Sequence, residues 1–357
     1  MPSLSLVELG WNDFFAEVFA PYAREGYGVG RVFLQHNKIY LLRTADGEVW
    51  GEISGRLRHE ARGSADLPAV GDWVAIRERK EEGKATIHYV LPRKSKFSRK
   101  AAGRETDEQV VAANVDTVLL VVGLDNDFNL RRLERYLITA WESGAQPVVI
   151  LNKADLCPEV EARQSEVTAI APDVPVVLMS AKRNEGWQAL SQYTVAGRTV
   201  ALLGSSGVGK STIVNRLLGT EAQRTQQVRE HDERGKHTTT HRELFILPDG
   251  GLVIDTPGMR ELQLLVSDRG LRDAFEDIEA FAAQCRFSDC HHQGEPGCAI
   301  KRALESGALD PERYANHEKM QQEMTELAAK QQLRTSPLEK EKRRRSPYPP
   351  KHPRKSR

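Results

Sequence analysis

The run GSSGVGKS, Gly204 to Ser211, sets two glycines, a lysine and a serine at the spacing G-x-x-x-x-G-K-[ST]. That spacing suits a phosphate chain. Glycines let consecutive backbone N–H groups turn inward, and a following helix adds its positive end. On this reading Gly204, Ser205, Ser206, Gly207, Val208, Gly209, Lys210, Ser211 and Thr212 cradle the phosphates. Lys210 would reach the β- and γ-phosphates, and the Ser211 hydroxyl would bind Mg²⁺. NKAD (Asn152, Lys153, Ala154, Asp155) offers a carboxylate able to accept two hydrogen bonds from guanine N1–H and its exocyclic amine. Adenine has no such pair, and a site built around buried acceptors rejects the wrong base strongly. Asn152 and Lys153 would brace the loop and cover the ring. In SAK (Ser180, Ala181, Lys182) the Ala181 N–H would meet guanine O6. DTPG would hold Mg²⁺ through Asp255 and meet the γ-phosphate with the Gly258 N–H. A D-x-x-G alone occurs about once by chance in a chain this long. Its weight comes from its place beyond the phosphate loop, and the four motifs together point to GTP and GDP.

Buried-strand runs DTVLLVV, PVVIL, VPVVLM, TVALL, ELFIL and GLVI alternate with helical stretches from Asn114 to Asp255. This texture predicts an α/β, doubly wound, mostly parallel sheet. Ligands bind such sheets at the carboxyl ends of the strands. NKAD, SAK, the phosphate loop and DTPG each follow a strand. Their order is the unusual feature, because in an ordinary Ras-like GTPase the phosphate loop comes first. Here the chain starts with what would be the fourth strand, at Asp116 to Val122, and returns to the phosphate loop later. Circular permutation keeps such a site intact when the old termini lie close together.

Other segments frame this domain. Trp11, Phe14, Phe15, Val18, Phe19 and Tyr22 fall at helical spacing within Leu9 to Tyr22. RVFLQ, KIYLLRT, EVWGEIS, DWVAIRE and ATIHYVL alternate as five short strands, which suits an OB-fold barrel or an SH3-like one. RKSKFSRKAAGR, Arg93 to Arg104, reads either as a solvated connector or as a phosphate-contacting strip. CRFSDCHHQGEPGC gives C-x4-C-x-H-x5-C, a structural Zn²⁺ set of Cys285, Cys290, His292 and Cys298, with His291 as the rival ligand. Cys157 stands alone and suits a small buried position. Two helical stretches, from Ala299 and from Glu312, follow the cluster. The expected division is a helical extension (1–29), an OB-type barrel (30–96), a circularly permuted P-loop G domain (97–265), a mostly helical zinc-binding module (266–335) and a basic disordered tail (336–357). The chain is 28% charged and 39% hydrophobic, with a net charge of +1. It has no apolar run near the ~20 residues of a membrane span. The N-terminus lacks a basic n-region, so cytoplasm is the expected compartment.

The motif order, GSSGVGKS, RGKHTTT (Arg234 to Thr240) and the cysteine cluster together resemble the RsgA (YjeQ/YloQ) family of circularly permuted GTPases. The resemblance runs from Gly30 and PAVGDWV (Pro68 to Val74) to ERYANH (Glu312 to His317). It implies late maturation of the small (30S) ribosomal subunit, contact with 16S rRNA, stimulation of GTP hydrolysis by the subunit, and a monomer. It also implies that Thr239 completes the Mg²⁺ shell, with Thr238 and Thr240 as neighbours to be distinguished. Gly207 stands where related GTPases carry a potassium-holding asparagine, so the resemblance carries no potassium site over to this chain. Met259 follows Gly258 where Ras-like enzymes orient water with glutamine. Methionine cannot do that, and His237 is the candidate to position or deprotonate the water. The competing reading is an RNA-binding adaptor in which GTP is a structural ligand with little turnover.

Overall fold

The computed structural model describes residues 4–36, 38–100, 108–219, 242–255 and 268–335. By packing it comprises two compact units, Met1–Ala274 and Phe275–Arg357.

In the first unit, helix α1 (Asp13–Arg24) precedes strands β1 (Gly28–His36), β2 (Ile39–Thr44), β3 (Gly47–Ile53), β4 (Trp73–Arg79) and β5 (Lys84–Val90), with the short helix α2 (Gly55–Glu60) after β3. The helix starts at Asp13, later than the apolar pattern predicts. The reason is a turn in which the N–H groups of Leu9 and Trp11 both donate to the Leu6 carbonyl. Pairing runs β1-β2-β3-β5-β4 and closes from β4 back to β1. β3 and β5 are parallel neighbours, and the other pairs are antiparallel. This five-stranded Greek-key closure is the OB arrangement, which settles the choice against an SH3-like barrel. Val32, Leu42, Val74, Ile76 and Ile87 fill its interior.

Strands β6 (Lys96–Lys100) and β7 (Glu108–Ala113) form an antiparallel ribbon. This corrects the reading of Arg93 to Arg104 as a plain connector. Charge hid the strand, because Phe97 is the large apolar side chain that β6 buries.

The nucleotide-domain elements follow: β8 (Thr117–Gly123), α3 (Leu130–Ser143), β9 (Gln146–Asn152), α4 (Val160–Ile170), β10 (Val176–Leu178), α5 (Gln188–Ser191), β11 (Thr199–Leu203), helix α6 over 210–219, β12 (Arg242–Ile246), β13 (Leu252–Asp255) and α7 (Asp268–Ala274). All six expected strands form. Their order is β10-β9-β8-β11-β13-β12, parallel except for β12. β8, β11 and β13 lie in the middle and are almost wholly buried, which is why they read as unbroken apolar runs. β12 also pairs with β1, Leu34 opposite Glu243 and Gln35 opposite Arg242, so barrel and G-domain strands share one sheet.

A buried polar knot joins them. Arg31 is fully enclosed and donates to the carbonyls of Leu9, Gly71 and Asn114 and to Thr199 Oγ1. Burial pushes its guanidinium down to about 10. Gly71, within PAVGDWV, has φ +92°, and a Cβ there would collide with the Ala113 carbonyl. The next residue, buried Asp72, accepts a two-pronged bond from Arg93 at 2.8 and 2.7 Å.

In the second unit, α8 (Glu276–Ala282), the cysteine segment, α9 (Ala299–Glu305) and α10 (Pro311–Thr335) follow in order. Arg313 of α10 grips Asp277 of α8 with bonds of 2.8 and 2.7 Å. Both expected C-terminal helices form. The tail, 336–357, lies outside the described residues.

Candidate guanine-nucleotide and metal sites

Parallel pairing of β10, β9, β8, β11 and β13 brings their carboxyl ends to one edge of the sheet. The phosphate loop leaves β11 there and enters α6 at Lys210. Asn152, the last residue of β9, is 2% exposed. Its Nδ2 donates to the Val208 carbonyl at 2.8 Å, and its Oδ1 accepts the Ala181 N–H at 2.9 Å. One amide therefore ties NKAD to both the phosphate loop and SAK. Gly209, at φ +104°, makes this possible, since a Cβ would strike Asn152 Nδ2. The same Ala181 N–H is the one expected to face guanine O6.

Asp155 lies in a short 3₁₀ turn after β9, with its side chain 6% exposed. Its Oδ1 accepts the Ser180 hydroxyl at 2.6 Å, and Arg183 Nε stands 3.6 Å from Oδ2. The Ser180 bond holds the carboxyl below its ordinary value, so it is ionised at neutral pH and ready to accept hydrogen bonds. Lys153 takes the left-handed backbone conformation, φ +64°, and its ammonium meets Asp125 Oδ2 at 2.5 Å. Ala154 and Lys182 flank these groups on the same loops.

Lys210 Nζ donates to the carbonyls of Gly204, at 2.6 Å, and Ser205, so it lies across the loop that would hold the phosphates. Ser206, Gly207, Ser211 and Thr212 are exposed, while Val208 is buried and pins the loop to the core. Asp255 ends β13, and the pairing of Ala201 with Ile254 sets it beside the carboxyl end of β11. Ser211 opens α6 just beyond the phosphate loop, and Asp255 ends the strand beside β11; both are hard-oxygen groups of the kind that hold Mg²⁺. His237, Thr238, Thr239, Thr240, Gly258 and Met259 lie outside the described residues.

Two site residues escaped the sequence reading. Asp125 contacts Lys153, and Asp127 accepts the Ser205 hydroxyl. Both follow β8, whose carboxyl end opens on the same edge. The strand-end rule, applied beyond the four named motifs, would have found them.

In the second unit, the ligand atoms of Cys285, Cys290, His292 and Cys298 all lie within 4.8 Å of one another. His292 Nδ1 is 3.6 Å from Cys285 Sγ and 3.5 Å from Cys298 Sγ. Tetrahedral Zn²⁺, with bonds of about 2.3 Å to sulfur and 2.0–2.1 Å to nitrogen, would set those pairs about 3.6 Å apart. The donor set fits the ion. His291 stands outside it, and its N–H donates to Glu295. The Glu295 carboxylate also accepts the N–H groups of Gln293 and Gly294, and such backbone bonds draw it down to about 2. Cys298 caps α9, its sulfur accepting the Lys301 N–H, while Cys285 Sγ accepts from Ala299.

Comparison with known proteins adds an independent line. The family model described as RsgA GTPase matches residues 90–265. The chain is 52% identical over 334 residues to the small ribosomal subunit biogenesis GTPase RsgA of Opitutus terrae, covering 91% of each. It is 44% identical over 352 residues to the protein of the same name from Syntrophotalea carbinolica, covering 96% of each. The crystal structure of YjeQ from Thermotoga maritima matches with a TM-score of 0.61 and 29% identity, over 84% of this chain and 99% of that one. YloQ, a circularly permuted GTPase of solved structure, shares the fold at 24% identity, with a TM-score of 0.59, over 84% of this chain and 96% of that one. The strand order, the motifs gathered at one sheet edge and these extended similarities converge: the chain belongs to the RsgA GTPase family.

Proposed function

We propose that the chain is a GTP hydrolase that binds the small (30S) ribosomal subunit and assists its late maturation. Asn152 carries the reading of the nucleotide site, because one buried amide holds the base-reading and phosphate-reading loops in register. Asp155 reads guanine, Lys210 meets the terminal phosphates, and Ser211, Asp255 and Thr239 are the Mg²⁺ set. Mg²⁺ would neutralise charge on the β- and γ-phosphates as the bond to the γ-phosphorus breaks. The other site residues named in the sequence act with them: Lys153 and Ala154 at the base, Ser180, Ala181 and Lys182 beside it, and Gly258 at the γ-phosphate. The Cys285, Cys290, His292 and Cys298 cluster holds one structural Zn²⁺. The barrel and the zinc module dock on the subunit and its 16S rRNA, the protein works as a monomer in the cytoplasm, and its GDP form is released. The relatives' shared name supports the ribosomal partner. Among the described residues no helix is long and apolar enough to cross a membrane.

Co-sedimentation with purified small and large subunits tests the partner. Retention on the small subunit with a non-hydrolysable GTP analogue, and release with GDP, is expected; equal retention on both subunits would refute it. Met259 follows Gly258 where a glutamine would orient the attacking water, and His237 is the group proposed to take that role. His237→Ala is expected to keep GTP affinity and lose most turnover, and unchanged turnover would remove it from the mechanism.

A further inference from the structure

We infer that the loop after β8 is a third wall of the nucleotide site, in which Asp125 and Asp127 are positioning residues that set guanine-nucleotide affinity through Lys153 and Ser205. The inference rests on the reading of this edge as the guanine-nucleotide site. Neither motif contains these aspartates, yet each grips one of them. Asp125 Oδ2 receives the Lys153 ammonium at 2.5 Å. Asp127 Oδ2 receives the Ser205 hydroxyl at the mouth of the phosphate loop.

The loop is built to hold both grips at once. Leu124 N–H donates to the Asn152 carbonyl at 2.8 Å, anchoring the loop to the end of β9. Asp125 Oδ1 accepts the Asp127 N–H at 3.1 Å, and the Asp125 carbonyl accepts the Phe128 N–H at 2.9 Å, winding the chain on itself. Asn129 then caps α3, accepting the Arg132 N–H at 2.9 Å. Arg132 reaches back to the Asp127 carbonyl at 2.6 Å and to its Oδ1 at 2.9 Å, leaving Oδ2 turned to Ser205.

Lys153 needs such a holder. Its left-handed backbone, φ +64°, is a conformation that non-glycine residues keep only when their surroundings hold it, and the Asp125 tether fixes where its stem lies. The tether is a charge-assisted bond, and it draws the Asp125 carboxyl below its ordinary value. The base and the first turn of the phosphate loop meet GTP and GDP alike, so loss of the tether weakens both nucleotides together. The γ-phosphate chemistry stays outside its reach.

The test is calorimetric titration of GTP and GDP into the full chain and into Asp125→Asn, Lys153→Met and the double variant. Asp125→Asn should raise both dissociation constants about ten-fold with their ratio unchanged. Coupling to Lys153, read from the double variant, is a signature that a merely loosened fold would not give. In the Lys153→Met background the same change should have no further effect. Equal affinity of Asp125→Asn and wild type, a loss confined to GTP, or a loss that persists in full without Lys153 would each overturn the inference. Should Asp125→Asn fail to fold, Asp127→Asn against Ser205→Ala supplies the same cycle with the same outcomes. Failure of the wild-type chain to bind either nucleotide would instead break the reading of the site itself.

Discussion

The two sites are held together by different means. At the nucleotide edge, side chains already bond one another: Asn152 to the Val208 carbonyl and the Ala181 N–H, Ser180 to Asp155, Asp125 to Lys153. The strands beneath are buried apolar runs that need no ligand to assemble. At the cysteine cluster the four ligands come from the segment between α8 and the start of α9, and among the described residues this unit buries Phe275, Ile278, Ile300, Ala303, Leu309 and Met320 with no sheet beneath them. A site resting on a sheet is preformed by packing, whereas a site in a loop depends on its ion. The contrast assigns each metal a different task. Zn²⁺ would shape its unit, and Mg²⁺ would arrive with the nucleotide.

The sharpest break between the two regions should come from removing the zinc ligands. Cys290→Ser, or chelation of the full chain, is expected to abolish cooperative structure in the C-terminal unit while GTP affinity stays within about two-fold. Elemental analysis with limited proteolysis checks this, with about one Zn²⁺ per chain in the wild type. A metal-free chain with an intact C-terminal unit would erase the contrast. A smaller effect is expected at the preformed edge. Asn152→Ala leaves a buried carbonyl and a buried N–H without their partner, a cost of about 3 kcal/mol. Guanine-nucleotide affinity should fall roughly a hundred-fold. Nucleotide titration would show it, and the zinc content should not change.

Much of this was legible in the sequence because strand ends and motifs coincide. The six G-domain strands and their permuted order could be read from apolar runs and spacing, which also marked the cysteine cluster but left His291 as a rival to His292. The OB-type barrel was the expected one, but strand count did not decide it against an SH3-like barrel; the pairing does, here the parallel contact of β3 with β5. The β6–β7 ribbon was hidden because its strands carry charge where apolar alternation is the usual signal. Pairing of β1 with β12 joins residues about two hundred positions apart, a contact no local pattern announces. Asp125 and Asp127 belong to no motif, and only the strand-end rule, applied to β8 as well, points to them.

GTP hydrolysis by the full chain, alone and with purified small or large ribosomal subunits at fixed salt, tests the central claim most directly. Strong stimulation by the small subunit alone is the predicted result. Tight GTP binding with no stimulation by either subunit would contradict it, and would leave an RNA-binding adaptor that uses GTP as a structural ligand.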